Sequence, residues 1–177
     1  MSAAPFLMID FSSSVKLTPV LTKKIQSHLL WAGMAFEHFI NQKKLLPKEL
    51  KGLQVSLILC GEAKIKKLNA DHRDKNKVTD VLSFPTSENL RKSYLDAEFL
   101  GTHLMLGDLA VCHQKTISQA KEFKLTYEEE FIHLVIHGVL HLMGYDHEIS
   151  EKEEKLMEKW EKEILEYISK LKKKGAR

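Results

Sequence analysis

The chain has 177 residues, of which 44% are hydrophobic and 29% charged, with a formal net charge of +3. This composition excludes disorder outside the ends, is compatible with a nucleic-acid partner without arguing for one, and supplies enough apolar residues for one domain over residues 1–177. The two cysteines, Cys60 and Cys112, form no CxxC pair and exclude a disulfide scaffold.

In chain order, PFLMIDF (5–11) predicts an opening strand. Asp10 and Lys16 interrupt the N-terminus too early for a secretory leader, and LLWAGMAF (29–36) is too short to cross a bilayer. A cytoplasmic protein with no membrane partner is expected, its cysteines free and buried at the ends of apolar runs. Thr18 before Pro19 is a helix start, opening a helix over about 19–41 with Leu21, Ile25 and Leu29 on its apolar face. Pro47 and Gly52 mark a linker over 43–52.

LQVSLILC (53–60) predicts a buried strand, 62–71 a short helix with Ile65 and Leu68 inward, 72–79 a polar loop, and DVLSFP (80–85) a strand ended by proline. Residues 86–103 carry no strong period and predict an irregular surface connection. MLGDLAVC (105–112) is a further strand, with Gly107 marking a bulge or a close backbone approach. A helix over about 113–123 follows. Thr126 with Glu129, and Ser150 with Glu153, are capping boxes opening two more helices. The last presents Leu156, Trp160, Ile164, Ile168 and Leu171 on one face. No crossover helix separates the strands near 85 and 105, which predicts a mixed sheet packed with helices, an α+β domain.

The chemistry concentrates in HGVLHLMGYDH at 137–147. Four helical residues turn through about 400° and rise roughly 6 Å, so His137 and His141 share a face and can bind one ion. Gly144 can end the helix in a left-handed turn and return His147 as a third ligand. Each buried imidazole nitrogen needs a partner, and one shared metal supplies three. His133 lies on the same face but reads as a hydrogen-bonded core histidine. Three neutral nitrogens suit one Zn²⁺ with a fourth position open, the arrangement of a catalytic site. The zinc-peptidase pattern HExxHxxGxxH has the same spacing, but Gly138 stands where that chemistry needs its glutamate base.

HGVLHLMGYDH resembles the signature of the YbeY endoribonucleases, and LNADHRDKNKVTDVLSFP (68–85) and LGDLAVC (106–112) are similar to stretches that occur in the same order in that family. The trailing helix with Met157 and Glu158 is also similar, so the resemblance covers about residues 54–165. It implies a zincin-like α+β fold and a zinc-dependent, single-strand-specific endoribonuclease. The implied role is in 16S rRNA 3′-end maturation and ribosome quality control, with the rRNA precursor, ribosomal proteins or the small ribosomal subunit as partners. His137, His141 and His147 are the implied zinc ligands, and Arg73 the functional arginine. Val78, Cys112 and Lys124-Leu125-Thr126 depart from the usual proline, serine and Gly-His-Ser; none is an implied ligand.

The residues alone leave several roles open. Arg73 reads either as an exposed loop arginine or as a phosphate partner. Lys64, Lys66, Lys67, Lys75 and Lys77 read as an RNA-tracking or a solvated face. Asp80 can orient Arg73 or cap a strand, Asp146 can hold a ligand imidazole or shape a turn, and Asp108 is a candidate for a cleft floor. The rival functions are an assembly factor using zinc only for its fold and, disfavoured by Gly138, a metallopeptidase.

Overall fold

The computed structural model describes residues 7–45, 52–87, 99–100 and 103–175. Its elements in chain order are β1 (Leu7–Ser13), α1 (Pro19–Lys43), β2 (Gly52–Cys60), α2 (Glu62–Arg73), β3 (Val81–Pro85), β4 (Phe99–Leu100), β5 (His103–Cys112), α3 (His113–Phe123), α4 (Tyr127–Leu142) and α5 (Glu151–Gly175). Among the described residues no helix is long and apolar enough to cross a membrane.

The sheet runs β1-β2-β5-β3, with β4 paired to β5. β1, β2 and β5 are parallel, whereas β3 and β4 meet β5 antiparallel. The architecture is therefore α+β with a mixed sheet. Part of the predicted linker (46–51) and most of the 86–103 connection (88–98 and 101–102) lie outside the described residues; within the latter, Phe99 and Leu100 form β4.

Local chemistry sets the helix starts. Thr18 accepts a hydrogen bond from the Leu21 amide ahead of Pro19, and Thr126 and Glu129 complete a reciprocal capping box. Ser150 accepts from the Glu153 amide at the start of α5. One residue resets the sheet. Gln54 pairs with Met105 but Val55 pairs with Gly107, leaving Leu106 without a partner on β2, and Gly107 sits at φ +139°. A Cβ at Gly107 would collide with the Phe84 carbonyl, so only glycine admits this bulge. The bulge shifts the alternation, so that Leu104 and Leu106 before it and Leu109 and Val111 after it all enter one core.

That core joins the strands to α1, α4 and α5. A smaller cluster of Cys60, Ile65, Leu82, Ala110 and Cys112 lies under α2 on the opposite face. Both cysteines are free and buried, as expected.

Candidate metal centre

Helix α4 is buried along nearly its whole length, which fixes the direction of its remaining polar side chains. Gly138 packs directly on the sheet: a Cβ there would lie 2.7 Å from Leu109 Cδ2 and 3.3 Å from Ser83 Oγ. The glycine thus lets α4 approach β3 and β5 closely, and Ser83 Oγ donates to the Gly138 carbonyl at 3.3 Å. At the position that holds a glutamate base in the peptidase pattern, any side chain would crowd Leu109 and Ser83.

The end of α4 then turns the third histidine back. Gly144, at φ 88°, donates to the His141 carbonyl at 2.8 Å, and Tyr145 donates to the Leu140 carbonyl at 3.0 Å. These two bonds form a Schellman motif around a left-handed glycine. Tyr145 is buried against Trp160 of α5, with ring centroids 4.5 Å apart, and this anchors the segment leading to His147. Asp146 accepts from the Glu148 amide at 2.8 Å, so it shapes the turn rather than holding a ligand imidazole.

The outcome is a cluster of three half-buried histidines, His137, His141 and His147, whose ligand atoms all lie within 4.8 Å of one another. The three histidines are close enough to bind one metal ion. Two metal–nitrogen bonds of about 2.0–2.1 Å at a tetrahedral angle separate their nitrogens by about 3.3 Å. The Nε2 atoms of His137 and His141 are 3.1 Å apart, near that value. His133 is not in the cluster.

Glu161 of α5 organises the site. Its Oε1 lies 2.7 Å from His137 Nδ1, and its Oε2 lies 3.9 Å from His133 Nε2. A carboxylate only accepts, so His137 carries its proton on Nδ1 and turns an unprotonated Nε2 toward the other histidines. His133 Nδ1 in turn lies 3.5 Å from Oε2 of the buried Glu130. Glu130, then burial acting the other way, then Glu161 leave the His133 pKa raised. His141 behaves oppositely. Burial, followed by repulsion from the neighbouring His137 and His147 rings when they are protonated, pushes it down to about 4. It is neutral at pH 7, the state a metal ligand requires.

Arg73 is the last residue of α2, exposed, and among the described residues no hydrogen bond or ion pair joins it to the histidines. Asp80 holds Gln119 rather than Arg73: its Oδ2 accepts from Gln119 Nε2 at 2.8 Å and its Oδ1 from the Val81 amide at 2.9 Å. Burial alone would raise its pKa, but these bonds hold it below the ordinary value. Asp108 lines a cleft on the sheet face away from α4. In α5 the family resemblance runs over Met157 and Glu158, and Glu158 is exposed; the carboxylate at the site, Glu161, was not singled out from the sequence. Its signal was available: residue 161 falls between Met157, Trp160 and Ile164 on the buried face, where a glutamate needs a partner.

Residues 21–169 match the family model described as endoribonuclease YbeY. The chain is 39% identical over 149 residues to the endoribonuclease YbeY of Thermodesulfovibrio yellowstonii, covering 82% of this chain and 87% of that one. It is 42% identical over 115 residues to the endoribonuclease YbeY of Finegoldia magna, covering 65% and 69%. The solution structure of TM1509 from Thermotoga maritima is similar with a TM-score of 0.56 at 29% identity, over 95% of this chain and 93% of that one.

Proposed function

The chain belongs to the endoribonuclease YbeY family, and from that premise we propose that it is a zinc-dependent endoribonuclease of single-stranded RNA. Its role is 16S rRNA 3′-end maturation and ribosome quality control in the cytoplasm, on rRNA precursors in contact with the small ribosomal subunit. The observation that carries the reading is the convergence of His137, His141 and His147 in a chain of this family.

The three histidines would hold the ion, and a donor set of three neutral nitrogens favours zinc. Zinc held there would supply Lewis-acid chemistry, polarising a phosphoryl oxygen or making water acidic enough to ionise near pH 7. The protein's own groups prepare that position. Glu161 fixes the ring and tautomer of His137, and burial keeps His141 free of a proton. Arg73 pairs phosphate oxygens through its planar guanidinium and offsets charge that develops during cleavage. Lys75 and Lys77, in the exposed segment that follows, track the backbone. Gly138 weighs against a peptidase, because it carries no carboxylate to accept a proton and its surroundings are already crowded by Leu109 and Ser83.

The test pairs metal content by mass spectrometry with cleavage of single-stranded RNA, on wild type, His141→Ala and Arg73→Ala. Wild type carries about one zinc and cuts. His141→Ala loses both properties, and Arg73→Ala keeps the metal and loses cleavage. A wild-type protein that holds zinc and cuts no RNA, with Arg73→Ala only weakening RNA binding, would replace this reading with a non-enzymatic ribosome-assembly factor.

A further inference from the structure

Parallel strands are ordinarily covered on both faces. Here α2 covers one end of the outer face, and among the described residues the rest is open. Beside α2 lies a cleft of about 430 Å³, within the range of small-ligand sites.

The strand register builds its floor. Asp10 pairs with Ser56, Ser56 with Asp108, and Asp108 with Phe84, so these four side chains form one row across β1, β2, β5 and β3. The next outward row is Ser12, Ile58, Ala110 and Leu82, which is mostly apolar. Neighbours in a row are about 4.8 Å apart. From α2, Lys64, Leu68 and His72 form the wall, and the His72 ring meets Phe84 edge-on at 5.0 Å. Asp10 already accepts from Gln54 at 2.7 Å, whereas the exposed Asp108 carboxylate has no such partner among the described residues.

An aromatic surface, a carboxylate one strand away and a lysine at the rim match the three parts of a nucleotide: a stacking base, an amino-bearing edge and a phosphate. We infer that this cleft binds one base of single-stranded RNA, guanine best, packed against Phe84 with the His72 ring at its edge and with its ring N–H and amino group donating to Asp108. Uracil fits worse, because its carbonyls would face the carboxylate. Lys64 takes the phosphate. The cleft and the histidines are separated by one edge strand: Phe84 faces the cleft while Ser83 beside it contacts Gly138. A strand of RNA held here crosses β3 past the end of α2 to reach the histidines, which gives Arg73 its place on the path. This path rests on the proposed nuclease function; the base site itself does not.

The experiment is titration of the zinc-loaded protein with GMP and with UMP, followed by backbone NMR shifts, on wild type, Asp108→Asn and His72→Ala. Both variants change exposed side chains. GMP binds about tenfold tighter than UMP, shifting residues around Ser56, Phe84 and Asp108, and Asp108→Asn removes that preference while His72→Ala weakens both nucleotides. In parallel, Asp108→Asn raises KM on a guanine-containing RNA. Equal binding of GMP and UMP, shifts confined to the histidine side, or an Asp108-dependent response to a basic peptide alone would each overturn the inference. GMP binding as expected in a protein that cuts no RNA would instead remove the nuclease reading and leave the base site standing.

Discussion

On one face of the sheet Leu57, Leu109 and Val111 meet α1, α4 and α5, and Val135, Ile136 and Val139 have no exposed surface at all. On the other, α2 covers Cys60, Leu82, Ala110 and Cys112, and the row from Asp10 to Asp108 stays open. The difference follows what each face has to do. Three imidazoles serve one ion only if their nitrogens are held to a fraction of an ångström, which needs a dense, buried helix behind them. A flexible strand of RNA needs an accessible surface with a few polar groups and rings to stack on.

The comparison breaks most sharply at the histidines. His141→Ala is expected to remove metal binding and RNA cleavage together while the protein keeps its helical circular dichroism. If the metal survives that change, the packed face is not where it is held. Glu161→Ala is next: losing the partner of His137 Nδ1 should weaken metal affinity about 10- to 100-fold, measured by competition with a chromogenic chelator. Glu161→Gln, which keeps an accepting oxygen, should recover part of the loss.

The packing itself is tested at Gly138→Ala. Its methyl meets Leu109 and Ser83, and overpacking of this kind costs about 1–3 kcal/mol, read from urea unfolding. A neutral result would mean that α4 stands off the sheet.

The pH dependence is a milder probe. His141 sits at about 4 in the folded protein against an ordinary value of 6.5. Above pH 7 it is neutral whether folded or unfolded and adds no pH dependence. Between about 6.5 and 4 the unfolded chain takes up a proton that the folded one refuses, so stability of the metal-free protein falls as pH falls. His133, with its raised pKa, has the opposite sign: its contribution is present below the ordinary value and is lost as pH rises through the folded value. His141→Gln should flatten the decline in Tm from pH 6.5 to 4. The smallest effect is expected at Thr126→Ala, which removes the cap of α4 for about 1 kcal/mol in the same unfolding assay.

Much of this protein is written in short windows of its chain. The caps at Thr18, Thr126 and Ser150, the left-handed turn at Gly144 and the shared face of His137 and His141 all depend on partners within about five residues. Hydrogen-bond geometry and helical pitch constrain such groups whatever the rest of the chain does. The HGVLHLMGYDH motif was accordingly readable before any fold was known. Tertiary structure decided what depends on distant segments meeting. Glu161 reaches His137 from 24 residues away because α5 lies along α4. Asp10, Ser56, Asp108 and Phe84 form a row only once four strands adopt one register, and the bulge at Gly107 sets which side chains of β5 face outward. Arg73 stands at the C-terminal end of α2, a helix whose place is set by Ile65 and Leu68 packing against the outer face. These contacts arise from burying apolar surface over the whole sheet, and no local pattern of residues encodes that sum.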